Sequence, residues 1–180
     1  MKGAGLAVSW GTLLLGLEGP GKFLPVLTLK DVDSFATGLL KSSMDSDESV
    51  AVLVAVESGS EETHAVLRRL AAMENCSVER ELRKWRVVLL KEAMSCLPSD
   101  PLYGLLALTE FWERFDYPPD SPHVVQGRGN AISPSDYYSE WNYRTLVQKH
   151  VEWIGAETAA LRSLAAESPE AVGGKSTRTV

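Results

Sequence analysis

Only two cysteines, Cys76 and Cys96, occur in 180 residues, and neither sits in a Cys-x-x-Cys or Cys/His cluster. That scarcity excludes a disulfide-rich scaffold and leaves no pattern for a structural zinc site. Both are expected to be thiols, with Cys96 acting as a small buried hydrophobe at the end of a helix. Long apolar runs are missing as well. The richest, residues 50–56, is far shorter than the ~20 residues a bilayer demands. Residues 1–17 carry one lysine, and their weak apolar stretch is broken by Ser9, Trp10, Gly11 and Thr12. No signal peptide is read there, and a cytoplasmic protein is expected. Histidine is scarce and scattered, at His64, His123 and His150, with no metal-ligand spacing. No metal or cofactor is therefore expected.

What is present points to one folded domain. With 44% hydrophobic residues the chain can bury a core, on the order of two-thirds of its unfolded surface. Residues 1–166 read as a single helical domain, and residues 167–180, rich in Ser, Gly, Lys and Thr, as a disordered tail. The expected fold class is all-α, a bundle or irregular array of six to seven helices with one long Pro/Gly-rich loop.

Local signals place the helices. Ser9 is a candidate cap for a helix with Trp10, Leu13, Leu14 and Leu17 on one side. Thr28 is a candidate cap for the next, with Asp31 in its first turn and Val32, Phe35, Ala36, Leu39 and Leu40 as its stripe. Residues 42–49 form an acidic link. Residues 50–56 are β-branched, but no partner strand is evident elsewhere, so a buried helix is expected. Ser60 is read as the cap of a fourth helix and Ser77 as the start of a fifth. Asp100-Pro101 and Ser133-Pro134 have the form of cap plus first helical residue. The last helix is expected from about residue 143 to 166, with Val147, Val151, Ile154, Thr158 and Leu161 on one face. Trp85, Leu89, Leu105, Leu106, Trp112 and Ile154 are expected to share a core.

Net charge is −6 and unevenly spread. Residues 68–91 hold seven basic and three acidic groups within an otherwise acidic chain. A solvated helix face with internal ion pairs accounts for that segment better than nucleic-acid binding, because an acidic body repels a polyphosphate. The acidity instead favours a basic protein partner, mainly by steering its approach.

Ten of the fourteen aromatic residues lie within residues 103–153, and the densest group brackets the loop at 116–133. A connection of that length is uncommon in a compact domain unless it has a role. Asp116, Tyr117, Asp120, His123, Arg128 and Tyr137 are the candidate partner-binding residues. Gly127 and Gly129 allow a sharp turn that presents Arg128, for which Asp116 and Asp120 are the expected ion-pair partners. His123 has the one plausible catalytic setting, with Asp120 three residues before it to orient the ring. No nucleophile elbow lies near it, and no catalytic residue is assigned.

Val8-Ser9-Trp10 with Leu15-Gly16-Leu17, Arg83-Lys84-Trp85-Arg86-Val87, Phe115-Asp116-Tyr117-Pro118 through Asp120-Ser121-Pro122 to Gln126-Gly127-Arg128, then Tyr137-Tyr138 and Asn142-Tyr143 resemble a bacterial family of small helical proteins of unknown function. The resemblance spans about residues 8–160. It implies a protein-binding role, that of an immunity protein in a polymorphic toxin system, and transfers no catalytic residue. The expected function is thus a non-enzymatic cytoplasmic module that neutralises a basic toxin domain, with no membrane or nucleic-acid partner. The alternative is a small hydrolase or nucleotide-handling enzyme using Asp120, His123 and Arg128.

Overall fold

Side-chain caps decide where most of the helices begin. The computed structural model describes residues 5–42 and 47–166. The tail at 167–180 and part of the acidic link lie outside the described residues. Helix α1 (Trp10–Glu18) opens with a capping box, in which Ser9 Oγ accepts from the Thr12 amide and Thr12 Oγ1 accepts from the Ser9 amide, each at 3.1 Å. For α2 (Leu29–Lys41), Asp31 accepts from the Thr28 amide at 2.8 Å. Residues 50–56 are helical, within α3 (Asp47–Ser58). Helix α4 (Ser60–Met73) is capped by Gly59 rather than Ser60, because its entry needs a φ of 120°, which glycine adopts without strain. Ser77 caps α5 (Val78–Ser95), and Asp100 caps α6 (Pro101–Glu113) by accepting from the Leu102 and Tyr103 amides. Ser133 caps the single turn α7 (Pro134–Tyr137), and α8 (Glu140–Ala166) follows, starting three residues before the expected position. The described residues thus hold eight helical segments, one more than the upper expectation, and the fold is all-α.

Helices α2, α3 and α4 pack in sequence, and α1 lies against α4 and reaches across to α5. Trp10, Leu13 and Leu17 of α1 join Val32, Ala36, Val52, Leu67 and Leu70 in the first core. The second core lies on the other side of α5. There Trp85, Leu89 and Leu90 meet Leu108, Phe111, Trp112 and Phe115, with Trp153 and Ile154 of α8 packed against them. A third group, Leu105, Tyr137, Tyr143 and Leu146, anchors α7 between α6 and α8. Leu6 closes on Val87 and Leu161, and Arg162 Nε donates to the Gly5 carbonyl, 157 positions away.

Four expectations about burial need correction. Helix α3 is half-buried rather than buried, since Val50 and Val54 point to solvent while Val52 and Ala55 face inward. Leu106 is 41% exposed, because it is displaced by about 100° around the helix from fully buried Leu105. Leu105 itself belongs to the third group, not to the core of Trp85 and Trp112. Cys96 lies at the C-cap of α5 and is exposed.

The inner face of α8 also differs from the expectation. It is Tyr143, Leu146, His150, Glu157 and Leu161, whereas Val151 is exposed. Two polar residues occupy that face because each has a partner on another helix. Trp112 Nε1 donates to His150 Nε2 at 2.9 Å, and Arg83 donates twice to Glu157 at 2.6 and 2.8 Å.

Candidate functional site

The basic segment at 68–91 is a solvated face only in part: Arg68, Arg69 and Lys91 are exposed, and the expected internal ion pairs form, Glu81–Lys84 and Glu79–Arg86 among them. Glu81, Lys84 and Arg86 are all buried. Lys84 Nζ donates to both Glu81 oxygens, at 2.9 and 2.8 Å, and Thr12 Oγ1 donates to Glu81 from α1. Trp85 Nε1 donates to the Thr12 carbonyl at 3.0 Å, so α1 is tied to α5 from both sides of one residue. Buried charges in this density demand partners, and α5 supplies them across three elements.

Arg86 reaches out to the long loop. It donates to Asp120 at 3.1 Å and to Glu79 at 2.7 Å, with its own side chain only 3% exposed. Asp120 is therefore held by Arg86 and does not orient His123. Asp116 forms its ion pair with Lys22, in the connector after α1. Neither aspartate meets Arg128, so the expected ion pair within the loop is not formed. Arg128 instead lies over the Tyr117 ring, 4.5 Å from its centroid. The Tyr117 hydroxyl donates to the Thr109 carbonyl. Asp116 and Tyr117 both have positive φ, 57° and 50°, which turns the chain sharply off the end of α6.

His123 and Tyr137 are buried, at 9% and 2% exposure, and hold the loop from beneath. The Tyr137 hydroxyl donates to the Val124 carbonyl at 2.7 Å. His123 Nε2 lies 2.8 Å from Thr109 Oγ1. The Thr109 hydroxyl directs its single proton to the Leu105 carbonyl, so Nε2 of His123 is the donor in that pair. Nδ1 of His123 is then a bare acceptor, buried and without a partner. Burial, with a smaller contribution from the neighbouring His150, pushes the His123 pKa down to about 3. The two rings stand edge to face with centroids 5.5 Å apart. Of the six candidate residues, Tyr117, His123 and Arg128 line one cleft of about 400 Å³ at the loop. Asp116, Asp120 and Tyr137 do not line it.

A second concavity, not singled out from sequence, lies between α1, α2, α5 and the connector 19–28. It measures about 590 Å³. Leu13, Leu27, Phe35, Trp85 and Leu89 make its apolar lining, and Asp31 and Glu92 stand at its edge with no basic residue among its lining. Leu24 and Val26 of the connector are exposed beside it, at 81% and 36%. The connector is itself fixed. Val26 and Leu27 both donate their amides to the Gly16 carbonyl, and Phe23 packs between Phe111 and Phe115. The sequence signal was available in the apolar run Phe23, Leu24, Val26 and Leu27, which no helix period explains.

Among the described residues, no group of three or more His, Cys, Asp or Glu could hold a metal ion, and no helix is long and apolar enough to cross a membrane. Fold and sites together define a small all-α protein whose buried charges are paired within α5, with the long loop and with α8, and which carries clefts beside α5 and at the α6–α7 loop. The family model described as "uncharacterized protein conserved in bacteria (DUF2247)" matches residues 1–158, and the chain belongs to that family. No curated protein and no solved structure matches the chain.

Proposed function

We propose that this chain is a protein-binding module that acts in the cytoplasm as an immunity protein, neutralising a bacterial toxin by binding a basic segment of it directly. The apolar groove between α1, α2 and α5 supports this reading. It offers a preformed apolar floor beside exposed Leu24 and Val26, the kind of patch that marks an interaction surface. Its edge carries Asp31 and Glu92, on a chain of net charge −6. A partner that inserts apolar side chains and brings Lys or Arg to that edge matches both features.

The test is to look for a toxin-like reading frame beside this gene and to carry out titration calorimetry and stopped-flow mixing against the domain it encodes. Ser34→Arg fills the groove from exposed Ser34, and Glu92→Lys reverses its edge. Each should weaken binding by about tenfold or more while leaving the thermal melt unchanged, and association of the unsubstituted protein should slow as salt rises. Wild-type affinity in both variants would overturn the groove as the site. Failure to relieve growth arrest by the toxin domain would overturn the immunity role.

A further inference from the structure

The last helix runs out beside the groove between α1, α2 and α5. Leu161 of α8 packs with Leu6 and Val87, and Val88 packs against the same cluster. Val88 also lines the groove. A second contact leads to the same place. Arg162 Nε donates to the Gly5 carbonyl, and Val8, three positions on, is part of the groove lining. Two separate routes thus bring the last turns of α8 to the side of the groove formed by Val8 and Val88.

The chain beyond α8 is complementary to that groove. Residues 171–180 read Ala-Val-Gly-Gly-Lys-Ser-Thr-Arg-Thr-Val, with two cations, Lys175 and Arg178, and no acidic side chain. The groove has the opposite charge. Asp31 and Glu92 line it, both exposed, whereas their neighbours Lys30 and Lys91 do not. Neither carboxylate forms an ion pair among the described residues. Asp31 takes both of its Thr28 bonds on Oδ2, which leaves Oδ1 for a cation. The reach suffices as well. The five helical residues from Leu161 to Ala166 carry the chain about 7.5 Å onward. The six from Ala166 to Val172 span up to about 20 Å, so Val172 can return past the helix end to the groove.

We propose that residues 171–180 fold back onto the groove as a strap, with Val172 on its apolar floor and Lys175 and Arg178 at the Asp31 and Glu92 edge. The strap covers the surface read above as the partner site and regulates access to it. A short tether holds the segment at an effective concentration of about 1 mM, so even a millimolar affinity keeps it docked about half of the time. A partner must displace it, and the groove's apparent affinity falls in proportion to the fraction covered. The proposal rests on the groove as a binding surface and not on what the partner is.

The experiment records NMR spectra of the full chain with no partner present, so a failed toxin titration and a failed strap are separate results. Lys175→Glu with Arg178→Glu reverses the charge of the segment and alters no described helix. It should shift the methyl signals of Val8, Val26, Leu27 and Val88, because the groove loses its occupant. Val172→Asp keeps both cations and should shift the same signals through loss of the apolar anchor. Salt raised to about 0.5 M should move the wild-type signals in the same direction, since the charge contact lies in water. From the other side, Ser34→Arg and Glu92→Lys should shift the amide signals of residues 172–178. Groove methyls that stay in place in both strap variants would overturn the proposal. So would shifts confined to the Glu61 and Glu62 end of α4, which would put the segment on another acidic face. Shifts that fade on about tenfold dilution would overturn it too, by making the occupant a second copy of the chain.

Discussion

The Trp112 indole donates to His150 Nε2, and that one bond sets the protonation of a fully buried histidine. With Nε2 accepting, Nδ1 must carry the proton, and it donates to the Leu146 carbonyl at 2.6 Å. His123, 5.5 Å away, carries its proton on the opposite nitrogen. Two neutral imidazoles of opposite tautomer thus share the interior between α6, α8 and the loop.

Acid should therefore destabilise the fold through these rings. Burial lowers both pKa values, that of His123 to about 3. Below about pH 6.5 the unfolded chain takes up protons that the folded rings refuse, so their contribution is full above that pH and declines below it, for His123 until about pH 3. Each histidine should reduce stability by up to about 1.4 kcal/mol per pH unit in that window. Urea denaturation at pH 7, 6 and 5 measures the slope, and His123→Asn should flatten it. An unchanged slope in that variant would exclude His123 as a source.

Breaking the Glu81–Lys84 pair should be costly. Glu81→Gln leaves a buried ammonium without its counter-charge, at about 3–5 kcal/mol. The double change Glu81→Leu with Lys84→Met should recover part of that loss, since the buried ammonium is gone and Arg80, the other cation beside Glu81, is partly exposed to water. Chemical denaturation of the single and double variants gives the comparison.

Arg86 and Asp120 should differ sharply in effect although they are partners. Arg86→Met removes the buried end, releasing both Asp120 and Glu79, and should speed amide exchange in residues 116–133. Asp120→Asn alters a half-exposed end while Glu79 still faces the guanidinium, so its cost should stay below about 1 kcal/mol. Equal effects on loop exchange would show that the tether runs through Asp120 alone.

Two helical glycines should respond to alanine with opposite signs. A Cβ on Gly104 would stand 2.5 Å from the Tyr143 ring, forcing α6 from α8 at about 1–3 kcal/mol. Gly155 has nothing within 4 Å of that position, so alanine there should stabilise α8 by about 0.5–1 kcal/mol. Thermal melts of the two variants decide it.

The features readable from sequence were those whose chemistry is local. Ser9, Thr28, Asp100 and Ser133 marked helix starts because a cap acts within three residues of itself. The family resemblance rested above all on loop residues, with shorter pieces in α1, α5, α7 and α8, and agrees with the match over residues 1–158. Features that depend on distant partners were not legible. His150 and Glu157 interrupt the apolar period of α8, and only Trp112 and Arg83 explain why they face inward. Asp120 stood close to Arg128 in sequence, yet it is Arg86, 34 positions away, that takes it. Only the apolar run of the connector hinted at the groove, since its walls are assembled from separate stretches around Leu13, Leu27 to Phe35, and Trp85 to Glu92.

Leu6 against Leu161 has a consequence for how the molecule is made. During synthesis the core of α1 to α4 can assemble as soon as those helices leave the ribosome, since all its members lie between Trp10 and Leu70. Leu6 then waits in water for a surface that the ribosome has not yet translated. Joining segments this far apart carries a large loop-closure entropy, and it becomes affordable only once the intervening helices have shortened the path. Leu6 is thus among the last residues to reach its native place.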